Sequence, residues 1–364
     1  MMINAKEFGL KGKNKRADTR ALQRALNYAK KHGNTEIYIP AGEYHIRKAL
    51  VIYARTSLIL DDNAVLKRCG KDALLKNGTK LKRYYGYDGN GHIRISGGIF
   101  DMNGEAYPYN NTAMSIGHAR EIEIRNVTFK DIVGGHAIDA CGLNGLYMGG
   151  CQFLGFNNPQ GDRSFSEAIQ IDLQVKGAFP KFGAADGTIT KNVIIEHCYF
   201  GNSDTPTMQP WNRAIGSHAS RFNQFYDNIH IRHNTFEGMG YYALTPLKST
   251  NMYIYDNHFI NCNGGIRYLA VKEGKNARDL KGKERSTQAG KHLYIYNNDF
   301  EGHMKKDAVH IQSYNCVKHQ DIVIADNHFN DESQSLFLNN IQGLVLDVPD
   351  NTKIKATQLI NINE

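Results

Sequence analysis

The chain has 364 residues, 41% of them hydrophobic, with 35 glycines and a formal net charge of +8. That composition supports a folded core rich in tight turns and excludes a disordered or collagen-like chain. No apolar run is long enough for a membrane helix, and Met1-MINAKEF-Gly9 lacks the positive-then-apolar order of a secretory signal. The expectation is therefore a soluble protein with no signal peptide and no membrane insertion.

The basic excess gathers in Lys11–Lys31 and in Lys272–Lys291. Without a basic-aromatic binding module it reads as solvated surface and a flexible loop, not as a nucleic-acid site. The six cysteines form no CxxC pair or disulfide framework, so they are expected to be reduced and to bind no metal. No cofactor motif is present.

In chain order, Asp18-TRALQRALNYAKKH-Gly33 predicts a helix, with Asp18 as N-cap and Gly33 as terminator. Strands begin at Glu36-IYIPAGEYHI-Arg47 and Ser57-LILDDNAVLK-Arg68. A repeat then takes over: Glu121-IEIRNVTF-Lys130 returns as Gly145-LYMGGCQF-Leu154, Asn192-VIIEHCYF-Gly201, Asn228-IHIRHNTF-Glu237, Asn251-MYIYDNHF-Ile260, His292-LYIYNNDF-Glu301 and Asp321-IVIADNHF-Asn330. A period of this length, with strand alternation, predicts a β-solenoid, an all-β chain stacking one coil per repeat about 4.8 Å apart. The phenylalanines are expected to stack inside. Cys151 and Cys198 share a small, inward position with Asn234, Asn257, Asn298 and Asn327. The reading divides the chain into an amino-terminal segment and capping helix (1–35), a parallel β-helix (36–340) and a carboxyl-terminal tail (341–364). Period breaks at 157–166, 173–191, 201–213 and 271–291 predict long loops beside the central coils.

A second strand per coil starts at Ala113-MSIGH, Ala137-IDACG, Ala168-IQIDL, Ala214-IGSHA, Ala243-LTPLK and Gly265-IRYLA. Alternation turns Ile138, Ile169, Ile215, Leu244 and Ile266 inward. One outward column then reads Asp139, Gln170, Gly216, Thr245, Arg267, and the next reads Cys141, Asp172, His218. His136, Glu167, Arg213 and Tyr242 stand at the strand starts. Ionisable groups crowded on one strand face cost free energy unless they are used or paired. The pairings open to them are Glu167 with Arg213 and Asp172 with His218. Glycoside hydrolysis requires two carboxyl groups flanking the scissile bond. Asp172 is read as base or nucleophile, its charge favoured by His218, with Asp139 or Glu167 as acid. Gln170, His136, Arg213, His218, Tyr242, Arg267 and Trp211 are read as substrate-binding.

Phe8-GLKG, Asp18-TRALQRAL and Ile39-PAGEY resemble the opening of pectate-lyase-superfamily β-helix proteins, especially phage tail-spike and pre-neck appendage depolymerases. Gly97-GIFDMNG resembles a glycine-rich coil of polygalacturonase-type hydrolases. The resemblance implies a right-handed parallel β-helix. It also makes Asp172 similar to the later Asp of the Asn-Thr-Asp-Gly-Ile-Asp stretch, sets Glu167 near its first Asp, and puts Arg267 at a substrate-binding position. The chain departs from that pattern in lacking the paired Asp-Asp motif, in carrying Leu269 in place of a Lys, and in displacing His218, which points away from galacturonan. The function expected is hydrolysis of a bacterial surface polysaccharide such as poly-N-acetylglucosamine, capsule or teichoic-acid type polymer. The setting expected is a homotrimer, virion-associated beside other tail proteins, or extracellular at the bacterial surface. A lyase using His218 or Tyr242 as base, and a glycan-binding spike or adhesin that performs no chemistry, are the alternatives.

Overall fold

A computed structural model describes residues 1–363. The repeats wind into a right-handed parallel β-helix, with strands collected into a 20-stranded and a 10-stranded sheet. Register follows the repeat residue by residue: Ile122 pairs with Leu146, Leu146 with Val193, Val193 with Ile229, and Ile229 with Met252. Since side chains alternate with period 2, this register sends one aliphatic residue per coil to the same inward point.

The expected phenylalanine ladder is present. Phe129, Phe153, Phe200, Phe236, Phe259, Phe300 and Phe329 follow one another at centroid spacings of 4.6–5.3 Å. Between the two sheets lies a sharp corner whose first residue is left-handed, with φ of 52–54° at Asn126, His197, His233, Asp256, Asn297 and Asp326. Asn and Asp tolerate that conformation better than other non-glycine residues, which explains the recurrent polar pair in the repeat. The following Asn turns inward. Asn257 donates to Ile231 O (2.8 Å) and Asn298 Oδ1 (3.0 Å), and Asn298 to Ile254 O (2.9 Å) and Asn327 Oδ1 (2.9 Å). This ladder satisfies buried backbone carbonyls at the corner. Cys151 and Cys198 occupy the same position and are free thiols.

The helix α1 (Ala17–His32) lays Ala21, Leu22, Ala25, Leu26 and Ala29 on the first coils and covers the amino-terminal end of the solenoid. Its cap differs from the expectation. Asn14 Oδ1 receives the Ala17 N–H (3.0 Å), while Asp18 lies inside the first turn, fully buried. The Asp18 carboxylate accepts the N–H groups of Gly12 (2.9 Å), Asn14 (2.9 Å) and His45 (3.2 Å), and so ties the entry loop to the second coil. The strand ladder continues past residue 340. Ser335–Leu346 pairs in parallel with His319–Ala325 and then with Lys353–Asn363.

Candidate active site

The strand Glu167–Asp172 lies between Ile138–Gly149 and Arg213–Gly216. Asp139 is opposite Gln170, Cys141 opposite Asp172, Gln170 opposite Gly216, and Gly216 opposite Thr245. Above these coils the insertions raise walls around a cleft of about 820 Å³. Arg163 and Phe165 form one side, Val175–Lys181 another, and Lys272–Asn276 a third; His136, Asp139, Gln170, Asp172, Arg213, His218 and Arg267 lie on the floor. Eight Lys or Arg residues line it against three acids, Asp139, Asp172 and Glu273.

Asp139 is 3% exposed, and its one hydrogen bond comes from the Cys141 thiol (3.2 Å). Burial pushes its carboxyl up to about 7, so it is protonated below neutrality. Lys181, half-buried in the cleft wall, opposes that rise. Asp172 is fully buried, which departs from the expected open groove position. Its Oδ1 accepts from the Tyr226 hydroxyl (2.8 Å) and from the backbone N–H groups of Ala219 (3.0 Å) and His218 (3.1 Å), and Oδ2 accepts from Gln170 Nε2 (2.7 Å). Burial outweighs these donors and raises Asp172 to about 6.

The expected pairing of His218 with Asp172 is corrected. The imidazole lies against the Glu167 carboxylate, while only the His218 backbone reaches Asp172. Burial disfavours the imidazolium, but Glu167 more than compensates and lifts His218 to about 9. Glu167 also meets Arg213 Nη1 (3.4 Å), as read from the sequence, and accepts from Thr245 Oγ1 (3.2 Å). It is fully buried and not among the cleft-lining residues, so it is an internal ion-pair centre and not an acid reaching into the cleft. Gly216 is required here: a Cβ would stand 2.9 Å from Glu167 Oε1 and 2.2 Å from Thr245 Oγ1. His136 donates from Nδ1 to Glu167 O (2.8 Å), and burial lowers it to about 4, leaving a neutral ring 5.8 Å from that of His218.

Two expected binding aromatics lie elsewhere. Trp211 is fully buried and stacks on Phe156 at 4.7 Å. Tyr242 is 5% exposed and directs its hydroxyl to Asp307 (3.3 Å). The neighbouring Tyr241 instead packs against two cleft arginines, with Arg213 at 4.9 Å and Arg267 at 5.2 Å from its ring and Arg267 Nη1 donating to its hydroxyl (2.9 Å). Sequence reasoning missed Tyr226 and Lys181, and placed Cys141 in the outward column with Asp172 without its contact to Asp139.

Residues 2–230 match a family described as rhamnogalacturonase A/epimerase, pectate lyase-like. The chain belongs to this pectate lyase-like family. It is 27% identical over 402 residues to plasmin and fibronectin-binding protein A of Streptococcus pneumoniae (strain ATCC BAA-255 / R6), covering 100% of this chain and 54% of that protein. It thus spans about half the length of that relative. Among solved structures it is similar to PfbA, a surface adhesin of Streptococcus pneumoniae (TM-score 0.78, 24% identity, 95% of this chain and 84% of that one). It is also similar to a family 28 exopolygalacturonase of Yersinia enterocolitica (0.65, 12%, 100% and 78%). A third is the tailspike of E. coli bacteriophage HK620, solved with a pentasaccharide (0.55, 12%, 98% and 67%). At these identities the structures speak for the shared fold.

Proposed function

We propose that this pectate lyase-like chain is a depolymerase that hydrolyses glycosidic bonds of a bacterial surface polysaccharide. The observation that carries the reading is Asp139: a carboxyl held protonated to about pH 7 on the floor of a long cleft, one coil from a second carboxyl. Asp139 donates its proton to the glycosidic oxygen as the bond from the anomeric carbon to that oxygen breaks. A water molecule adds to the anomeric carbon, and its proton passes to Asp172. The register offsets the two aspartates by one coil and two residues, about 8 Å between Cα atoms. Room for a water between the carboxyl groups calls for roughly 6.5–9.5 Å.

Gln170 keeps Asp172 oriented by donating from Nε2 to Oδ2 (2.7 Å), while Arg213, Arg267 and His218 supply positive charge to the bound chain. The cationic lining favours a polymer bearing acidic groups, such as a capsule or teichoic-acid type chain, over neutral poly-N-acetylglucosamine. Several equal clefts gain avidity on a repetitive polymer, so the protein acts as a homotrimer at a virion or bacterial surface, which light scattering tests.

Incubation with hyaluronan, polygalacturonate, alginate, poly-N-acetylglucosamine and wall teichoic acid, followed by mass analysis, tests the reading. Hydrolysis yields products heavier by one water, whereas elimination yields an unsaturated product absorbing in the near ultraviolet. Binding without any product favours the adhesin reading, which the name of the pneumococcal relative and the four hydrogen bonds that occupy Asp172 support.

A further inference from the structure

Past Asp139 the cleft reaches only Thr112, at the start of the preceding strand, and Ser115, the coil neighbour of Asp139, is fully buried. On the amino-terminal side the insertion 173–191 folds back across the preceding coils and closes the strand face. In the column next to Asp139, Gly117 is the coil neighbour of Cys141, and a Cβ there would stand 2.7 Å from both Gln174 Nε2 and Phe179 Cε1. One coil further, a Cβ on Gly78 would meet the Phe182 ring at 2.6 Å. Phe179 and Phe182 pack edge to face at 5.0 Å and form a small apolar cluster with Tyr84 and Cys141.

This roof is pinned to the scaffold at several points. The His118 ring bridges Gly86 O (2.8 Å) and Ala184 O (3.0 Å), Gly86 N–H donates to Asp186 (2.8 Å), and the Tyr87 hydroxyl donates to Ile189 O (2.9 Å). Three anchored roof groups, Ala184, Asp186 and Ile189, and an apolar contact make it a fixed wall, not a lid. In the other direction the floor continues through Gln170, Arg213 and Arg267 to Tyr314. From Asp139 to Arg267 is four coil spacings, about 19 Å. The two aspartates therefore lie at the closed end of the cleft, with Lys181 in the wall beside Asp139.

We infer that the cleft is a blind channel that takes a polysaccharide by its terminus, so that the enzyme trims chain ends and releases a mono- or disaccharide. The inference rests on the hydrolase reading of the same site. A through-cleft binds any internal stretch, so its sites scale with polymer mass; a blind cleft counts chain ends. The test titrates the full chain carrying Asp139→Asn, which suppresses turnover, with the five polymers named above. Each is supplied at equal mass either intact or after mild acid fragmentation to about one tenth of its length.

End capture predicts about tenfold more sites per gram after fragmentation. With the unsubstituted protein, one short product is expected from the earliest time points, while the mean polymer mass falls slowly. If sites per gram stay constant, or viscosity collapses early with products of many sizes, the blind-channel inference is overturned and the hydrolase reading stands. If a polymer is bound by its ends but never cleaved, the hydrolase reading fails and terminal recognition stands. If none of the five polymers is bound, both are overturned.

Discussion

Asp139→Asn separates the demands of chemistry from those of folding. The carboxyl is buried and rises from its ordinary 3.8 to about 7 because burial disfavours the charged form. Between those values the folded protein holds a proton that the unfolded chain releases. Stability contributed by that proton is full below about pH 4 and is lost as the pH climbs through 7. A rise from 3.8 to about 7 corresponds to an upper bound of roughly 4 kcal/mol. Asparagine is neutral throughout and nearly isosteric. At pH 8 the variant should therefore be more stable than the parent by about 2–4 kcal/mol, less whatever the Cys141 thiol contact contributes, while at pH 4 the two should agree. Urea denaturation at both pH values reads the difference. Turnover should fall at least about a hundredfold, the scale of general acid catalysis. The parent's rate should peak between the values of Asp172 and Asp139, about 6 and about 7. A stability difference that is the same at pH 4 and pH 8 would refute the buried-acid argument.

Asp172→Asn should still fold, because the amide oxygen can take the three Oδ1 donors while Gln170 turns its own oxygen toward the new amide; Asp172→Ala leaves those donors unpaired and should cost about 3–5 kcal/mol. Phe236→Ala opens a gap between Phe200 and Phe259 and should cost roughly 3–5 kcal/mol in urea unfolding without altering the circular-dichroism signature of strands. Glu167→Gln removes the carboxylate that holds His218 at about 9, so proton NMR should show the imidazole titrating well below that value. Of the six thiols only Cys316 is exposed, so a thiol reagent should label one cysteine in the native protein and six after unfolding.

Much of this architecture is local, and so it is legible in the sequence. Alternation within each repeat dictates which side chains turn inward, and parallel register then follows from superimposing one repeat on the next. That is why the phenylalanine ladder and the neighbours Asp139 and Gln170 could be placed before any coordinates. The corner asparagines were visible as a repeated letter, although their left-handed backbone and their carbonyl partners were not.

What the tertiary structure decided lies where the chain leaves the repeat. The strand ends at Gly216, and the turn that follows aims the backbone N–H groups of His218 and Ala219 at Asp172 while carrying the imidazole to Glu167. Column counting assumes that the strand continues, and so it paired His218 with the wrong carboxylate. Trp211 and Tyr242 look like surface aromatics by composition, but large apolar rings at the edge of an insertion gain more by packing inward than by waiting for a ligand. The roof over Gly78 and Gly117 joins segments far apart in the chain, a contact that no periodicity encodes. The repeat determined the scaffold because its hydrogen bonds and side-chain alternation are set within each coil. The site was decided by irregular loops, whose positions depend on whatever surface they find to bury.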